Sequence, residues 1–226
     1  MRKILLEATP GVVAPIRIAL LPGAHHESAD FQREGFAEAV RVRGLGIDLE
    51  FVSPELQHLT DRTVLEALRR EFVAPARAAG CQSVWLGGVS LGGFIALAYA
   101  ERRPDDLDGL CLLAPYLGNR MITGEVARAG GIMRWYPGDI SEDDEDRRIW
   151  RFIRGLDSRR LPVHLGMARQ DRFAHGHSLF AAALPSHAVD VIDGGHDWPT
   201  WRELWASFLD RFAAGRQSGA DALNAG

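Results

Sequence analysis

The chain has 226 residues and a formal net charge of −4, from 26 basic and 30 acidic side chains; 46% of its residues are hydrophobic. That length suits one domain with a sizeable core, over 1–226. Interspersed charges with no basic face or aromatic–basic stripe argue against nucleic acid as a partner, no apolar stretch reaches membrane-spanning length, and two cysteines, Cys81 and Cys111, make no disulfide framework.

Arg2 to Ala8 reads as an edge strand. Its apolar part, Ile4 to Leu6, is stopped at once by Glu7 and is too short for a signal-peptide core, so a reducing cytoplasm is the expected location. Ile16 to Leu21 is the next strand, and Pro22-Gly23-Ala24-His25-His26 is the loop after it. His25, His26 and Glu27 are adjacent on that loop, and neighbours on a loop seldom face one ion. With no His-Glu-x-x-His and no cysteine cluster, metal binding is not expected, and His25, His26 and Glu27 are read as groups at the mouth of a site, His25 as a candidate substrate contact. Phe31 to Arg43 predicts an amphipathic helix and Ile47 to Val52 a strand. Arg62 to Ala79 predicts a helix that Pro75 should kink or end.

The run from Ser83 to Ala96 carries most of the chemistry. Val84-Trp85-Leu86 suits a central strand, and Gly92 to Ala100 an apolar, small-residue helix that packs closely on a sheet. Between them, Gly88-x-Ser90-x-Gly92 has the spacing of a nucleophile elbow, a sharp strand-to-helix turn that lifts a serine hydroxyl above the sheet. A Walker loop needs Lys before Ser or Thr after its last glycine, whereas Phe94-Ile95 follows here. The Gly-x-Gly-x-x-Gly spacing of a dinucleotide fingerprint also fails.

Leu107 to Ala114 is the following strand. The segment 115–160 then interrupts the strand–helix alternation, where a small cap would sit over a site. Within it, Ser141 is positioned to cap a helix whose first turn is acidic, and Ile149, Trp150, Phe152, Ile153 and Leu156 supply that helix's apolar side. Met133, Trp135 and Tyr136 either line an acyl pocket or anchor the cap. Leu161 to Ala168 is a strand ending just before Asp171. Ser178 to Leu184 is helical, and Ala188 to Ile192 is a strand leading to Asp193-Gly194-Gly195-His196. Thr200 to Phe212 closes the chain as a helix with a core stripe of Trp201, Leu204, Trp205, Phe208, Leu209 and Phe212. A small, polar, flexible tail is expected over 215–226. The alternation predicts an α/β architecture with a mostly parallel sheet of six to seven strands and helices on both faces.

A serine hydroxyl needs a base to take its proton and donors for the oxyanion it creates. Partners of an elbow serine follow it in the order acid, then histidine. Asp171 and His196 stand in that order, each beyond a strand end, so Ser90, Asp171 and His196 can meet on one sheet edge. Asp193 and Asp197 are rival acids, but they lie too close in sequence to His196 to reach its far ring nitrogen easily. The backbone N–H groups of Leu91 and, after Gly23, Ala24 are the candidate oxyanion donors.

These residues together resemble the α/β-hydrolase superfamily over nearly the whole chain. The specific marks are Gly88-Val89-Ser90-Leu91-Gly92, the strand-end Asp171 and Gly195-His196. Gly195 to Trp201 is similar to the histidine loop of small esterases, including relatives of S-formylglutathione hydrolase. The sequence departs from the superfamily pattern in having at most seven strands instead of eight, and Pro22-Gly23 where lipases have a His-Gly-Gly-Gly loop. The resemblance implies a cofactor-free serine hydrolase acting on a small-molecule ester or thioester through an acyl-enzyme. A serine at the elbow disfavours haloalkane dehalogenase chemistry, for which resembling families place an aspartate there. An acyltransferase, a carbon–carbon bond hydrolase and a peptidase remain alternatives on the same triad, and a non-catalytic ligand receptor is the alternative of another class.

Overall fold

The computed structural model describes residues 1–55, 58 and 63–224, with side chains described as far as residue 215. Seven strands form one sheet: β1 (Arg2–Leu6), β2 (Ile16–Leu21), β3 (Ile47–Ser53), β4 (Ser83–Val89), β5 (Gly109–Leu113), β6 (Val163–Ala168) and β7 (Val189–Ile192). Their spatial order is β1-β3-β2-β4-β5-β6-β7. Only the edge strand β1 is antiparallel; every other pair is parallel. Strands β3, β5 and β6 are buried along their whole length, as a sheet covered on both faces requires.

Side chains alternate between the two faces. In β2, Ile18 and Leu20 join a cluster with Phe31, Phe36, Trp205 and Phe208, while Ala19 and Leu21 join the opposite cluster with Tyr99 and Trp150. The closing helix covers the first face. The elbow helix and the β5–β6 crossover cover the second.

The helices differ from the sequence reading where tertiary packing intervenes. The single helix expected over Phe31–Arg43 is two, α1 (Ser28–Arg33) and α2 (Phe36–Arg41). They break at Gly35, whose φ of 78° suits glycine. Of the next expected helix, Arg62 lies outside the described residues. The rest runs as α3 (Val64–Leu68), a π-helical turn (Arg69–Val73) and α4 (Ala74–Ala78). Pro75 therefore does not end the helix. The wider turn before it accommodates a ring with no N–H to give to the preceding turn.

After α5 (Leu91–Arg102) and β5 come α6 (Arg120–Arg128) and α7 (Glu145–Arg154). The cap of α7 is Asp144, which accepts from the Arg147 N–H at 3.1 Å, not Ser141. The crossover also packs into the core. Ile149, Trp150 and Ile153 are fully buried in one cluster with Leu110 and Leu112, and the Trp150 indole N–H donates to the Leu117 carbonyl at 2.9 Å. Helix α8 (Ala174–Ala181) starts earlier than expected because the Asp171 carbonyl accepts from the Ala174 N–H at 3.0 Å. Helix α9 (Trp198–Asn224) starts at Trp198, and its backbone is helical to Asn224, past residue 215 where the sequence suggests a loose tail. No helix among the described residues is long and apolar enough to cross a membrane.

One buried group makes the fold sensitive to pH. His164 on β6 is 6% exposed, and its ring lies edge-on to Phe208. Its Nε2 is buried without a hydrogen bond, with the Asp190 carboxylate 3.6 Å away and already paired with Arg211. Burial lowers its pKa from 6.5 to about 4, with Asp190 opposing and Arg211 assisting. The unfolded chain therefore binds a proton here that the folded protein resists. Stability is lost as pH falls from about 6.5 to about 4, by at most about 1.4 kcal/mol per pH unit from this group. Urea unfolding between pH 7.5 and 4.5 checks this. His164→Gln is expected to flatten the slope, and an unchanged slope would acquit His164.

Candidate active site

The site is built on a turn with almost no room for side chains. A Cβ on Gly88 or Gly92 would collide with the Leu21 carbonyl oxygen at the end of β2, and one on Gly93 would lie 2.7 Å from the Pro115 Cβ. Only with these atoms missing can the start of α5 sit so close to β2. Ser90, between the two glycines, takes φ 51° and ψ −117°. A non-glycine residue held in such a region costs about 1–3 kcal/mol and persists only where its surroundings impose it. Here its N–H donates to the Leu113 carbonyl at 3.2 Å. Its carbonyl accepts from Phe94 at 3.2 Å and Tyr116 at 2.9 Å.

Ser90, His196 and Asp171 form one hydrogen-bonded chain. The Ser90 hydroxyl lies 2.8 Å from His196 Nε2, and His196 Nδ1 lies 2.7 Å from Asp171 Oδ2. With Asp171 as a carboxylate, the ring carries its proton on Nδ1 and offers the Nε2 lone pair to the serine. Asp171 has no exposed side-chain surface, and its other oxygen accepts from the Phe173 N–H at 2.7 Å. The carboxylate is thus locked by its own loop before it meets the imidazole. Both rival acids are engaged elsewhere. Asp193 is solvent-exposed and sits 3.3 Å from Arg169. Asp197 caps α9, accepting from the Thr200 N–H at 3.1 Å.

Two rings grip the imidazole. Phe173 and Trp201 both stand edge-on to His196, with centroids at 4.9 and 5.1 Å. Neither is identified from the sequence as part of a site, because Trp201 reads as core stripe and Phe173 as loop. Beyond Trp201 lies His26, edge-on to Trp198 and Trp201 at 5.1 and 5.6 Å. Its pKa is lowered by burial, and further by His25 and His196. His177 is a second residue that the sequence does not single out. It is fully buried beside this chain, and its Nε2–H donates to the Pro115 carbonyl at 2.8 Å. It thereby pins the strained Ala114-Pro115-Tyr116 turn, where Ala114 has φ 46°.

The loop after β2 lies against Ser90. A Cβ on Gly23 would be 3.2 Å from the Ser90 Cβ, and the Gly23 carbonyl accepts from His26 at 3.2 Å in the turn that holds Ala24 and His25. His25 is exposed there, with φ 65°. Glu27 caps α1 and pairs with Arg2 at 3.1 Å, so it does not converge with the two histidines. Leu91 opens α5, and the first N–H groups of a helix have no intrahelical partner.

A cleft of about 640 Å³ adjoins His196 through Phe173 and is walled by Tyr116, Asn119, Arg120, Thr123, Arg172 and His175. Met133, Trp135 and Tyr136 are not among its walls. Trp135 is 2% exposed, packs in the core and donates its indole N–H to Glu125 at 2.9 Å. Met133 and Tyr136 are exposed, and Tyr136 lies under the Arg154 guanidinium at 3.9 Å. Of the two roles open for this trio, the anchoring one describes Trp135. The aromatic walls come instead from Tyr116 and Phe173, which meet at 5.5 Å.

No family model matches the chain, and no curated protein matches it in sequence. Solved structures do match. Est1E from Butyrivibrio proteoclasticus superposes with a TM-score of 0.59 at 16% identity, over 93% of this chain and 94% of that one. The S-formylglutathione hydrolase FrmB from Staphylococcus aureus gives 0.57 at 13% identity, over 88% and 82%. The fluorophosphonate-binding serine hydrolase FphF, also from Staphylococcus aureus, gives 0.56 at 14%, over 89% and 85%. The chain has the α/β-hydrolase fold.

The steric argument at the elbow has a direct test. Gly92→Ala is expected to cost more than about 3 kcal/mol or to prevent folding, because backbone must move. Gly44→Ala, at φ 60° with no atom within 4 Å of the new methyl, should cost only about 1–2 kcal/mol. Urea unfolding of both variants measures the difference, and equal losses would mean that the elbow relaxes.

Proposed function

We propose that this chain is a serine hydrolase that cleaves a carboxylic ester or thioester through an acyl-enzyme. The observation that carries the reading is the unbroken chain from Ser90 Oγ through His196 to buried Asp171, at 2.8 and 2.7 Å. In this reading, Ser90 Oγ bonds to the substrate carbonyl carbon as its proton passes to His196 Nε2. The imidazolium then protonates the departing alcohol or thiol as its bond to carbon breaks. A water molecule next gives its proton to His196 and attacks the acyl carbon, releasing the acid and restoring the Ser90 hydroxyl. Asp171 keeps the ring in the required tautomer and stabilises its charged form. The Leu91 N–H, with the Ala24 N–H as second donor, would hold the oxyanion. The edge-on contacts of Phe173 and Trp201 keep the ring from turning between the two half-reactions.

The fold-level likeness to an S-formylglutathione hydrolase and a fluorophosphonate-binding serine hydrolase supports acyl chemistry as the class. Hydrolysis of p-nitrophenyl esters from acetyl to long acyl chains tests it. Ser90→Ala should abolish turnover and fluorophosphonate labelling. Asp171→Asn should lower kcat by about 10⁴-fold, from the wrong tautomer, while Asp193→Asn should retain at least about half the activity, since it acts only through screened charge. Turnover that survives Ser90→Ala, or no turnover and no labelling by the folded protein, would refute the reading.

A further inference from the structure

The cleft beside His196 has a chemical character that the general reaction does not explain. Its walls include two guanidinium groups, Arg120 and Arg172, and no carboxylate. Among the described residues, neither arginine has an acidic group within ion-pair distance. Their neighbours behave otherwise: Arg147 is bound to Glu125 and Asp144, and Arg148 lies 3.3 Å from Glu101. Asp146, which is not among the walls, accepts from the Asn119 backbone N–H at 3.3 Å and side-chain amide at 3.0 Å. In a protein whose net charge is −4, two unpaired cations on one cleft are a local inversion of sign.

Their placement is also specific. Arg172 lies over the Phe173 ring at 4.9 Å, which orients its planar fork beside the ring that touches His196. Arg120 is the first residue of α6, and Phe173 immediately precedes α8, so the two helices open onto the same cleft. Among the other walls, which include Asn119, Thr123 and His175, the rings of Tyr116 and Phe173 are apolar faces that would hold the body of a substrate.

We infer that the substrate carries an oxyanion, a carboxylate or a phosphate, bound by Arg120 and Arg172 while its ester carbonyl meets Ser90; this rests on the esterase reading above. Planar guanidinium groups bind either anion through paired N–H donors, and charge-assisted pairs of that kind discriminate strongly against a neutral isostere. The two arginines would set specificity, not chemistry.

The test uses esters of matched length. The acyl series is the p-nitrophenyl esters of hexanoic, adipic and 5-phosphonopentanoic acids. The leaving-group pair is phenyl acetate and 4-carboxyphenyl acetate. The readout is the ratio of kcat/KM for the anionic over the neutral member. The wild-type protein is expected to favour an anionic member in at least one series. The double variant Arg120→Gln/Arg172→Gln should lower that ratio by about tenfold or more, and added salt should lower it in the wild type. Arg128→Gln, on the same helix but off the cleft, should leave the ratio unchanged. The carboxylate and phosphonate arms distinguish the two anions. No anionic preference in either series, or a ratio indifferent to the double variant, overturns the inference.

A failure of the esterase reading gives a different pattern, with no ester turned over and no fluorophosphonate labelling. The site is then judged by calorimetric titration with adipate and with phenylphosphonate. At least one should bind with a Kd weakened about tenfold or more in the double variant, and binding of neither anion overturns the inference.

Discussion

Everything near Ser90 depends on how closely the start of α5 approaches the end of β2. That approach exists because Gly88 and Gly92 present no Cβ to the Leu21 carbonyl oxygen. The same approach forces Ser90 to φ 51°, and the strain is held by hydrogen bonds from three separate segments: Leu113 on β5, Phe94 on α5 and Tyr116 on the crossover. The serine is therefore positioned by the sheet as a whole. Its hydroxyl gains an exact angle toward His196 without any flexible side chain to order, which is the sense in which backbone strain serves pre-organisation.

Tyr116 links this constraint to the cleft. Its N–H holds the Ser90 carbonyl, and its ring meets Phe94 on one side and Phe173 on the other, both at 5.5 Å. Pro115, just before it, is held by the buried His177, whose imidazole burial keeps neutral against the pull of Asp171. Ser90 and the cleft wall thus share one anchored turn. The cleft wall is fastened to the Ser90 backbone through that turn.

The sequence made legible what is local or periodic. Gly88-x-Ser90-x-Gly92 is a local steric requirement, and it appears where expected. The strands alternate with helices, and the sheet is parallel except at β1. Asp171 and His196 follow β6 and β7, and strand ends are sequence positions that a parallel sheet brings to one edge, where Ser90 also stands. What required three dimensions was side-chain company. Trp201 counts as core by its spacing, yet one edge of its ring faces His196. Met133, Trp135 and Tyr136 are near one another in the chain, but the crossover turns Trp135 inward to Glu125 and leaves the other two on the surface. Ser141 and Asp144 are both sound caps. The choice between them went to Asp144, where α7 must begin if Ile149, Trp150 and Ile153 are to face the sheet.

The choice of acid shows why sequence proximity is a poor guide to electrostatics. Asp193 and Asp197 flank His196 closely, yet Asp193 is in water, where its field is screened, and Asp197 is committed to the first turn of α9. Asp171 is 25 residues away in the chain but wholly sheltered, with one oxygen held by its own loop and the other on the imidazole. A carboxylate in that setting meets the imidazole with little water to screen it, and the loop has already ordered it. Its burial is sustained by both hydrogen bonds together. The acid that meets the imidazole is the one whose desolvation the fold has already met.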